Sequence, residues 1–171
     1  MNDAGVASER VIAYVGLGAN LGEASRTVRE AMEALDAIPN SRRMRASRLY
    51  RTAAWGREDQ PDFVNAVAQL ETALAPRALL TALLEIERAF GRDRAGEQER
   101  WGPRTLDLDL LLYGAQTVDE PGLRVPHPHL HERAFVLVPL DEIAPELAIP
   151  KRGSVADALA AMATDGVQAI G

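Results

Sequence analysis

The chain has 171 residues, 47% of them hydrophobic, which suits one globular domain over residues 1–171. Its formal net charge of -6 excludes a general positive field for nucleic acid or an anionic membrane, so we expect neither partner, and any phosphate site must be local. Cysteine is absent, which excludes disulfides and thiolate metal sites and favours a cytoplasmic protein. Residues 1–9 contain no apolar stretch and are expected to form a flexible tail rather than a signal peptide.

The first half of the chain predicts strands around one helix. Residues 10–15 are β-branched and aromatic, so they predict a strand that ends at the turn-rich segment Gly16–Gly22. An amphipathic helix before Pro39 follows from apolar residues at helical spacing, namely Val28, Ala31, Met32 and Leu35. Two more strands are predicted at about 43–51 and 63–71, separated by a long polar loop from Thr52 to Asp62.

In the second half, Pro76 opens a predicted helix with one apolar face, and Gly91 ends it. Residues 92–104 have many charges and no periodicity, which predicts a second long loop. A strand over Thr105–Tyr113, a hairpin over Val118–Val125 and a last helix capped by Ser154 and Asp157 complete the pattern. The order β-α-β-β-α-β predicts an α+β, ferredoxin-like sandwich with a C-terminal extension, helices on one face of an antiparallel sheet, and two long active-site loops serving the other face.

Two aspartates alternate with leucines in the predicted strand Thr105–Tyr113. Because successive side chains of a strand point to opposite faces, Asp107 and Asp109 share one face, and the leucines at 106, 108, 110 and 112 share the other. Carboxylates about 7 Å apart along a strand can bind one hard cation or a pair, and Mg²⁺ prefers such oxygen ligands. An exposed face could also tolerate both aspartates, but Asp is depleted in strands and like charges repel.

The loop before this strand supplies arginines and one tryptophan. Arg92, Arg94 and Arg104 beside a metal-binding carboxylate pair are what a triphosphate requires. Acidic residues nearly balance them, so the loop taken alone favours a solvated, salt-bridged surface. Trp101 favours a ligand, because an aromatic face in a charged loop can cover a base or ring.

Two further motifs are ambiguous. The glycines of Gly16–Gly22 lack the spacing of a dinucleotide fingerprint and are expected to permit a tight strand-to-helix crossing, with Asn20 bonding the backbone. The three histidines, His127, His129 and His131, alternate as in a zinc site, but Pro126 and Pro128 interrupt them. We therefore expect one of them to be a phosphate ligand or proton donor. Composition alone places Phe63 and Phe135 in the core.

Four stretches together resemble the 6-hydroxymethyl-7,8-dihydropterin pyrophosphokinase family of folate biosynthesis. They are Gly16-Leu-Gly-Ala-Asn-Leu-Gly22; Tyr50-Arg-Thr52 with Asp59-Gln-Pro-Asp-Phe-Val-Asn65; Glu99-Arg-Trp-Gly-Pro-Arg-Thr-Leu-Asp-Leu-Asp109; and Val125-Pro-His127 through Arg133-Ala-Phe135. The resemblance implies that a monomer transfers the terminal diphosphate of ATP to the hydroxymethyl group of the reduced pterin and releases AMP, with both loops closing first.

The resemblance also implies a role for particular residues. Asp107 and Asp109 would hold two Mg²⁺ ions, and Arg92 and Arg104 would act with them on the phosphates. The implied ATP contacts are Glu87, Arg94, Trp101, Leu110, His127 and Arg133. The implied pterin contacts are Thr52, Trp55, Phe63, Asn65 and Phe135, the two phenylalanines enclosing the ring. The chain departs from the family pattern in a longer segment between Arg94 and Arg100 and in Gly122, which replaces an arginine.

Two alternatives belong to other classes. A ferredoxin-like binding module for RNA or a regulatory ligand is disfavoured for RNA by the acidic pI near 5.1. A metal-dependent nucleotide hydrolase would keep the aspartate pair but release phosphate or diphosphate without pterin.

Overall fold

The structure, a computed structural model, describes residues 6–20, 23–53, 62–91 and 106–170. Within these ranges the main sheet has six strands, all paired antiparallel. They are β1 (Val6–Ala19), β2 (Ser41–Ala46), β3 (Tyr50–Thr52), β4 (Phe63–Leu74), β5 (Asp107–Tyr113) and β10 (Gln168–Ala169). Their spatial order is β10-β3-β4-β1-β5, with β2 also paired to β4. The fold is therefore a mixed one built on an antiparallel sheet, as the sequence predicts.

Four helices and two small hairpins complete the described parts of the chain. The helices are α1 (Ala24–Ala34), α2 (Pro76–Ala89), α3 (Ala134–Ile143) and α4 (Val155–Ala160). The hairpins pair β6 (Val118–Glu120) with β7 (Leu123–Val125) and β8 (Ala148–Ile149) with β9 (Gly153–Ser154). Among the residues described, no helix is both long and apolar enough to cross a membrane.

The helix boundaries follow local signals in the sequence. Pro76 begins α2. The backbone N–H that proline lacks would have no hydrogen-bond partner within the helix at this position, so its absence costs nothing. Gly91 follows α2 with a φ of 91°, a conformation that costs glycine little. The N–H of Asp157 donates to the Ser154 Oγ over 3.0 Å and caps α4. These three predicted boundaries are confirmed.

One face of the main sheet packs against α1 and α2. Alternate residues of β1 fill this core, from Ala13 to Ala19, and each of them is at most 2% exposed. Leu108 of β5 and Leu83 of α2 belong to the same cluster. Because alternate side chains of each strand enter this cluster, the intervening side chains must lie on the opposite face.

The opposite face is apolar over one part only. There Tyr14, Val67 and Leu111 pack with Leu137 and Leu140 of α3. The prediction that helices cover one face only is therefore incomplete, because the apolar segment around residues 135–140 forms a helix that buries its side chains on the second face. The part of this face that α3 leaves open carries the polar residues described below.

Four sequence predictions need correction. Strand β1 does not end at Val15 but continues to Ala19, because its glycines pair with both neighbouring strands. Nor are residues 6–9 a loose tail, since β1 begins at Val6, which pairs with Leu74. The strand expected at 43–51 is two strands, β2 and β3, separated by residues 47–49.

The fourth correction concerns Leu112, which belongs to the α3 cluster rather than to the leucine face of β5. The pairing with β1 shifts register between Leu110 and Leu112, so Leu111 is an extra residue and the alternation is interrupted there.

Candidate active site

Three neighbouring strands bring a carboxylate, a glycine and a carboxamide side by side. Gly18 of β1 is the register partner of Asp107 on β5 and of Asn65 on β4. Gly16 is likewise the partner of Asp109 and of Val67. Register partners point to the same face of a sheet, so both aspartates share a face with Asn65. The predicted common face for the two aspartates is thus supported by strand pairing.

The middle strand of this row, β1, has glycine at both positions that face the aspartates. Gly16 and Gly18 have no side chains, so the Leu111 side chain approaches the backbone at Gly16 and the Asn65 amide oxygen approaches it at Gly18. Both aspartates are half-buried, whereas Leu108 between them is 2% exposed on the opposite face. We call this row the trough: the two glycines of β1 lie at its centre, the carboxylates of Asp107 and Asp109 on its β5 side and Asn65 on its β4 side.

The other side of the trough continues into the predicted pterin residues. Thr52 pairs with Phe63, so their side chains share the face of Asn65. The Thr52 Oγ1 is buried and makes no hydrogen bond to any residue that the structure describes. A buried hydroxyl that makes no hydrogen bond lowers the stability of the fold unless a ligand or a water molecule bonds to it. A polar ligand in this position would satisfy it.

Helix α3 brings two more predicted residues to this region. Phe135 lies in its first turn and Arg133 immediately precedes it. The guanidinium carbon of Arg133 lies 5.7 Å from the centre of the Phe135 ring, which is within the range of a cation–π contact. Both side chains are half-buried, so neither belongs to the fully buried core. They remain accessible for binding.

His127 is fixed beside β5. Its backbone N–H donates to the Leu111 carbonyl over 2.9 Å, and its Nδ1 accepts from the backbone N–H of His129 over 3.2 Å. The pKa of His127 is lowered to about 4, chiefly by burial and then by the charges of Arg133 and His129, while the charge of Asp107 opposes them. The imidazole is therefore neutral at pH 7 and, because Nδ1 accepts, carries its proton on Nε2.

His127 also lines a groove of about 550 Å³. Three exposed basic side chains share the lining, namely Arg124, Lys151 and Arg152. Asp119 also lines the groove and forms an ion pair with Arg124 over 3.4 Å, so three positive charges and one negative charge lie along the groove.

Two predicted ATP residues lie on or under the helix-covered side of β5. Glu87 of α2 is 2% exposed, and its carboxylate accepts the backbone N–H of Leu108 over 2.7 Å. Leu110 is 4% exposed and packs in the core beneath α1 and α2. The side chain of Leu110 therefore does not join the trough, and only its backbone is near the aspartates.

Five predicted site residues lie outside the described residues: Trp55, Arg92, Arg94, Trp101 and Arg104. The same holds for most of the loop over residues 52–62 and for all of the loop over residues 92–104.

The carboxylates of Asp107 and Asp109 suit a cation that takes its remaining ligands from a bound substrate. In the described ranges, no three His, Cys, Asp or Glu side chains are grouped to hold a metal. Two carboxylates on one face fit Mg²⁺, which keeps water ligands and takes the remaining oxygens from phosphates.

Sequence reasoning missed four contributors to this region. Gly16 and Gly18 were assigned to a turn, although their alternation with Val15, Leu17 and Ala19 is itself a strand pattern. Tyr50, the register partner of Asn65, donates its hydroxyl to Glu142 of α3 over 2.5 Å. Burial, followed by this bond, raises the pKa of Tyr50. No local pattern could reveal the contact, because the two residues lie 92 positions apart.

Comparison with known proteins gives concordant matches. Residues 14–145 match the model of the family described as 7,8-dihydro-6-hydroxymethylpterin-pyrophosphokinase. The 2-amino-4-hydroxy-6-hydroxymethyldihydropteridine pyrophosphokinase of Pseudomonas aeruginosa is 47% identical over 155 residues, covering 91% of this chain and 94% of that protein. The protein of the same name from Methylorubrum extorquens is 44% identical over 158 residues, covering 92% and 98%.

Solved structures resemble the fold at low sequence identity. An HPPK-DHPS in complex with substrates has a TM-score of 0.71 and 14% identity, covering 89% of this chain and 43% of that one. Wild-type Plasmodium falciparum HPPK-DHPS with pteroate has a TM-score of 0.71 and 12% identity, covering 94% and 43%. The chain thus spans less than half of these longer proteins, and at such identity they bear on the fold alone. From the family match and these bacterial relatives, this chain belongs to the 7,8-dihydro-6-hydroxymethylpterin-pyrophosphokinase family.

Proposed function

We propose that this chain transfers diphosphate from ATP to the hydroxymethyl group of 6-hydroxymethyl-7,8-dihydropterin, releasing AMP, as a cytoplasmic monomer in folate biosynthesis. Membership of the pyrophosphokinase family supports the reaction. The structural observation that carries it is the row of Asp107, Gly18 and Asn65, in which a carboxylate and a carboxamide face one trough across a bare strand. The proposal includes a ferredoxin-like core whose two long loops, residues 52–62 and 92–104, close over the substrates.

In this proposal Asp107 and Asp109 hold two Mg²⁺ ions along the β5 side of the trough. When bound, these ions would neutralise the phosphate oxygens and polarise the β phosphorus. The aspartates suit this role because their strand fixes both side chains on one face. The leucines between and beside them anchor that strand in the core.

The transfer step exchanges one P–O bond for another. The hydroxymethyl oxygen attacks the β phosphorus, loses its proton, and displaces AMP as the bond from that phosphorus to the α-phosphate oxygen breaks. Such a reaction depends chiefly on alignment and charge neutralisation. Neutral His127 offers its Nε2–H to a phosphate oxygen, and Arg133 adds a positive charge beside it. Arg92 and Arg104 are proposed to complete the phosphate contacts.

The pterin is proposed to lie on the β4 side of the trough. There Asn65 offers both a donor and an acceptor to the edge of a heteroaromatic ring. The buried Thr52 hydroxyl lacks a partner among the described residues and would gain one from the same ring. Phe63 and Phe135 would enclose its faces, with Trp55 nearby.

The nucleotide is proposed to lie near β5 and α2. Glu87 supports this site through its bond to the Leu108 backbone. Leu110 would contribute backbone contacts, because its side chain is buried. Arg94 and Trp101 are the remaining proposed contacts, together with His127 and Arg133.

The test is the identity of the product. Wild-type protein, Mg²⁺, ATP and the reduced pterin should yield AMP and the pterin diphosphate in equal amounts, as resolved by anion-exchange chromatography. Omission of Mg²⁺, with chelator present, should abolish both products. No AMP at saturating substrates would reject the proposal, whereas phosphate or diphosphate release without pterin would identify a nucleotide hydrolase.

A further inference from the structure

Of the two glycines in β1, Gly18 is the one that leaves no space for a β-carbon. A β-carbon built on Gly18 would lie 2.7 Å from the Oδ1 of Asn65, closer than real β-carbons approach an oxygen. Its next contacts would be ordinary, at 3.8 Å to the Asn65 Cγ and 3.9 Å to the Val64 carbonyl. A single atom, the amide oxygen of Asn65, therefore occupies the space above Gly18.

The neighbouring glycine shows that this is not a general property of β1. A β-carbon on Gly16 would meet Leu111 side-chain atoms at 3.5–3.6 Å, which is normal van der Waals contact. Neither glycine has a positive φ, so the backbone conformation does not demand glycine at either position. At Gly18 the requirement is for the space that Asn65 uses.

That space lies midway between the two halves of the trough. Gly18 pairs with Asp107 on one side and with Asn65 on the other. Adjacent strands lie roughly 4.8 Å apart, so the backbones of Asp107 and Asn65 lie roughly 10 Å apart across Gly18. The Asn65 amide oxygen lies over Gly18, which fixes the orientation of the amide group relative to the carboxylates.

We propose that Gly18 is a positioning residue that sets recognition of the pterin ring by holding the Asn65 carboxamide against strand β1. The proposal rests on the function assigned above and deepens it. A carboxamide that leans over β1 presents its donor and acceptor to a ligand edge in a fixed order. A methyl group at Gly18 would push the oxygen away, and an Asn side chain can turn without disturbing the core. The loss should therefore fall on pterin binding rather than on folding.

The first experiment compares Gly18→Ala with the matched control Gly166→Ala, in which a β-carbon meets no atom within 4 Å. We expect Gly18→Ala to raise the KM for the pterin at least tenfold, because a misdirected amide leaves polar groups of the ring without partners. The KM for ATP should stay within about twofold, and the thermal midpoint should match that of the control. A general folding defect would instead change both KM values and the midpoint.

The second experiment asks whether Gly18 acts through Asn65. Asn65→Ala should also raise the KM for the pterin. Adding Gly18→Ala to Asn65→Ala should then change it by less than about twofold, because the displaced oxygen is already gone. Effects that multiply in the double variant would overturn the proposal.

The two proposals fail in different ways. Suppose that the wild type forms AMP and that Gly18→Ala has an unchanged KM for the pterin. The role of Gly18 is then overturned, and the proposed reaction stands. If the wild type forms no AMP, pterin binding by fluorescence titration decides. Tenfold weaker binding in Gly18→Ala supports the positioning role without the reaction, whereas a wild type that binds no pterin overturns both.

Discussion

The two faces of the main sheet differ in what their side chains contribute. Beneath α1 and α2 the strands carry aliphatic side chains, many of them fully buried. On the other face, the part that α3 does not cover carries two aspartates, an asparagine, two glycines and a threonine hydroxyl that has no hydrogen bond to any described residue. One strand, β5, supplies both surfaces through alternate residues. We infer that stability and activity can be changed separately at adjacent positions of this strand.

The largest effect should come from the polar face. Asp107→Ala and Asp109→Ala should each lower kcat by about 10²- to 10³-fold, because each variant loses a carboxylate that is proposed to hold the Mg²⁺ whose charge would neutralise the phosphates. Steady-state AMP formation at saturating Mg²⁺ measures this. Asp119→Ala removes an aspartate whose side chain is 85% exposed on the β6–β7 hairpin, and it should leave kcat unchanged. Full activity in both active-site variants would remove the metal assignment.

The adjacent position on the other face should show the reverse. Leu108 is 2% exposed, so Leu108→Ala should lower the free energy of unfolding by about 2–5 kcal/mol through lost burial and a cavity. Urea denaturation measures this. Asp107→Ala should cost less stability than Leu108→Ala in the same assay. An equal cost would show that the two faces are not separable.

A smaller effect is expected where α3 joins the sheet. The Glu142 carboxylate accepts the Tyr50 hydroxyl and the Arg48 backbone N–H. Glu142→Gln keeps the shape but removes the charge from these bonds, so it should lower the free energy of unfolding by about 1 kcal/mol. Glu146→Gln, on an exposed glutamate just beyond α3, is the matched control and should have no measurable effect on urea denaturation.

The last expected effect appears only in acid and arises from His127. Its pKa of about 4 lies below the ordinary value of 6.5, so between these values the unfolded chain binds a proton that the folded chain does not. Stability therefore falls as the pH drops through this window, and His127→Gln should remove that part of the loss. Urea denaturation of both proteins at about pH 7 and about pH 4.5 measures the difference. An imidazole titrating near 6.5 by NMR would contradict this prediction.

The sequence predicted the parts of the site that local alternation controls. In β5 the pattern places both aspartates on one face, and strand pairing agrees. The same pattern was wrong at Leu112, because a bulge depends on the partner strand and not on the residue itself. Gly16 and Gly18 were expected in a turn because glycine favours turns, whereas here pairing on both sides keeps them extended. The contact of Tyr50 with Glu142 depends on tertiary packing, which no local pattern encodes.

The Glu87 side chain lies at one edge of the main sheet and protects part of that edge. Among the strands that the structure describes, β5 is the last on its side, and such a strand exposes N–H groups to which another chain can pair. The Glu87 carboxylate accepts the Leu108 N–H and so occupies one of these positions. A helix side chain thus replaces the missing neighbour strand at the level of the two aspartates. The strand that carries both aspartates thus lies at the rim of the described sheet with one of its edge N–H groups already bonded, which discourages edge-to-edge aggregation there.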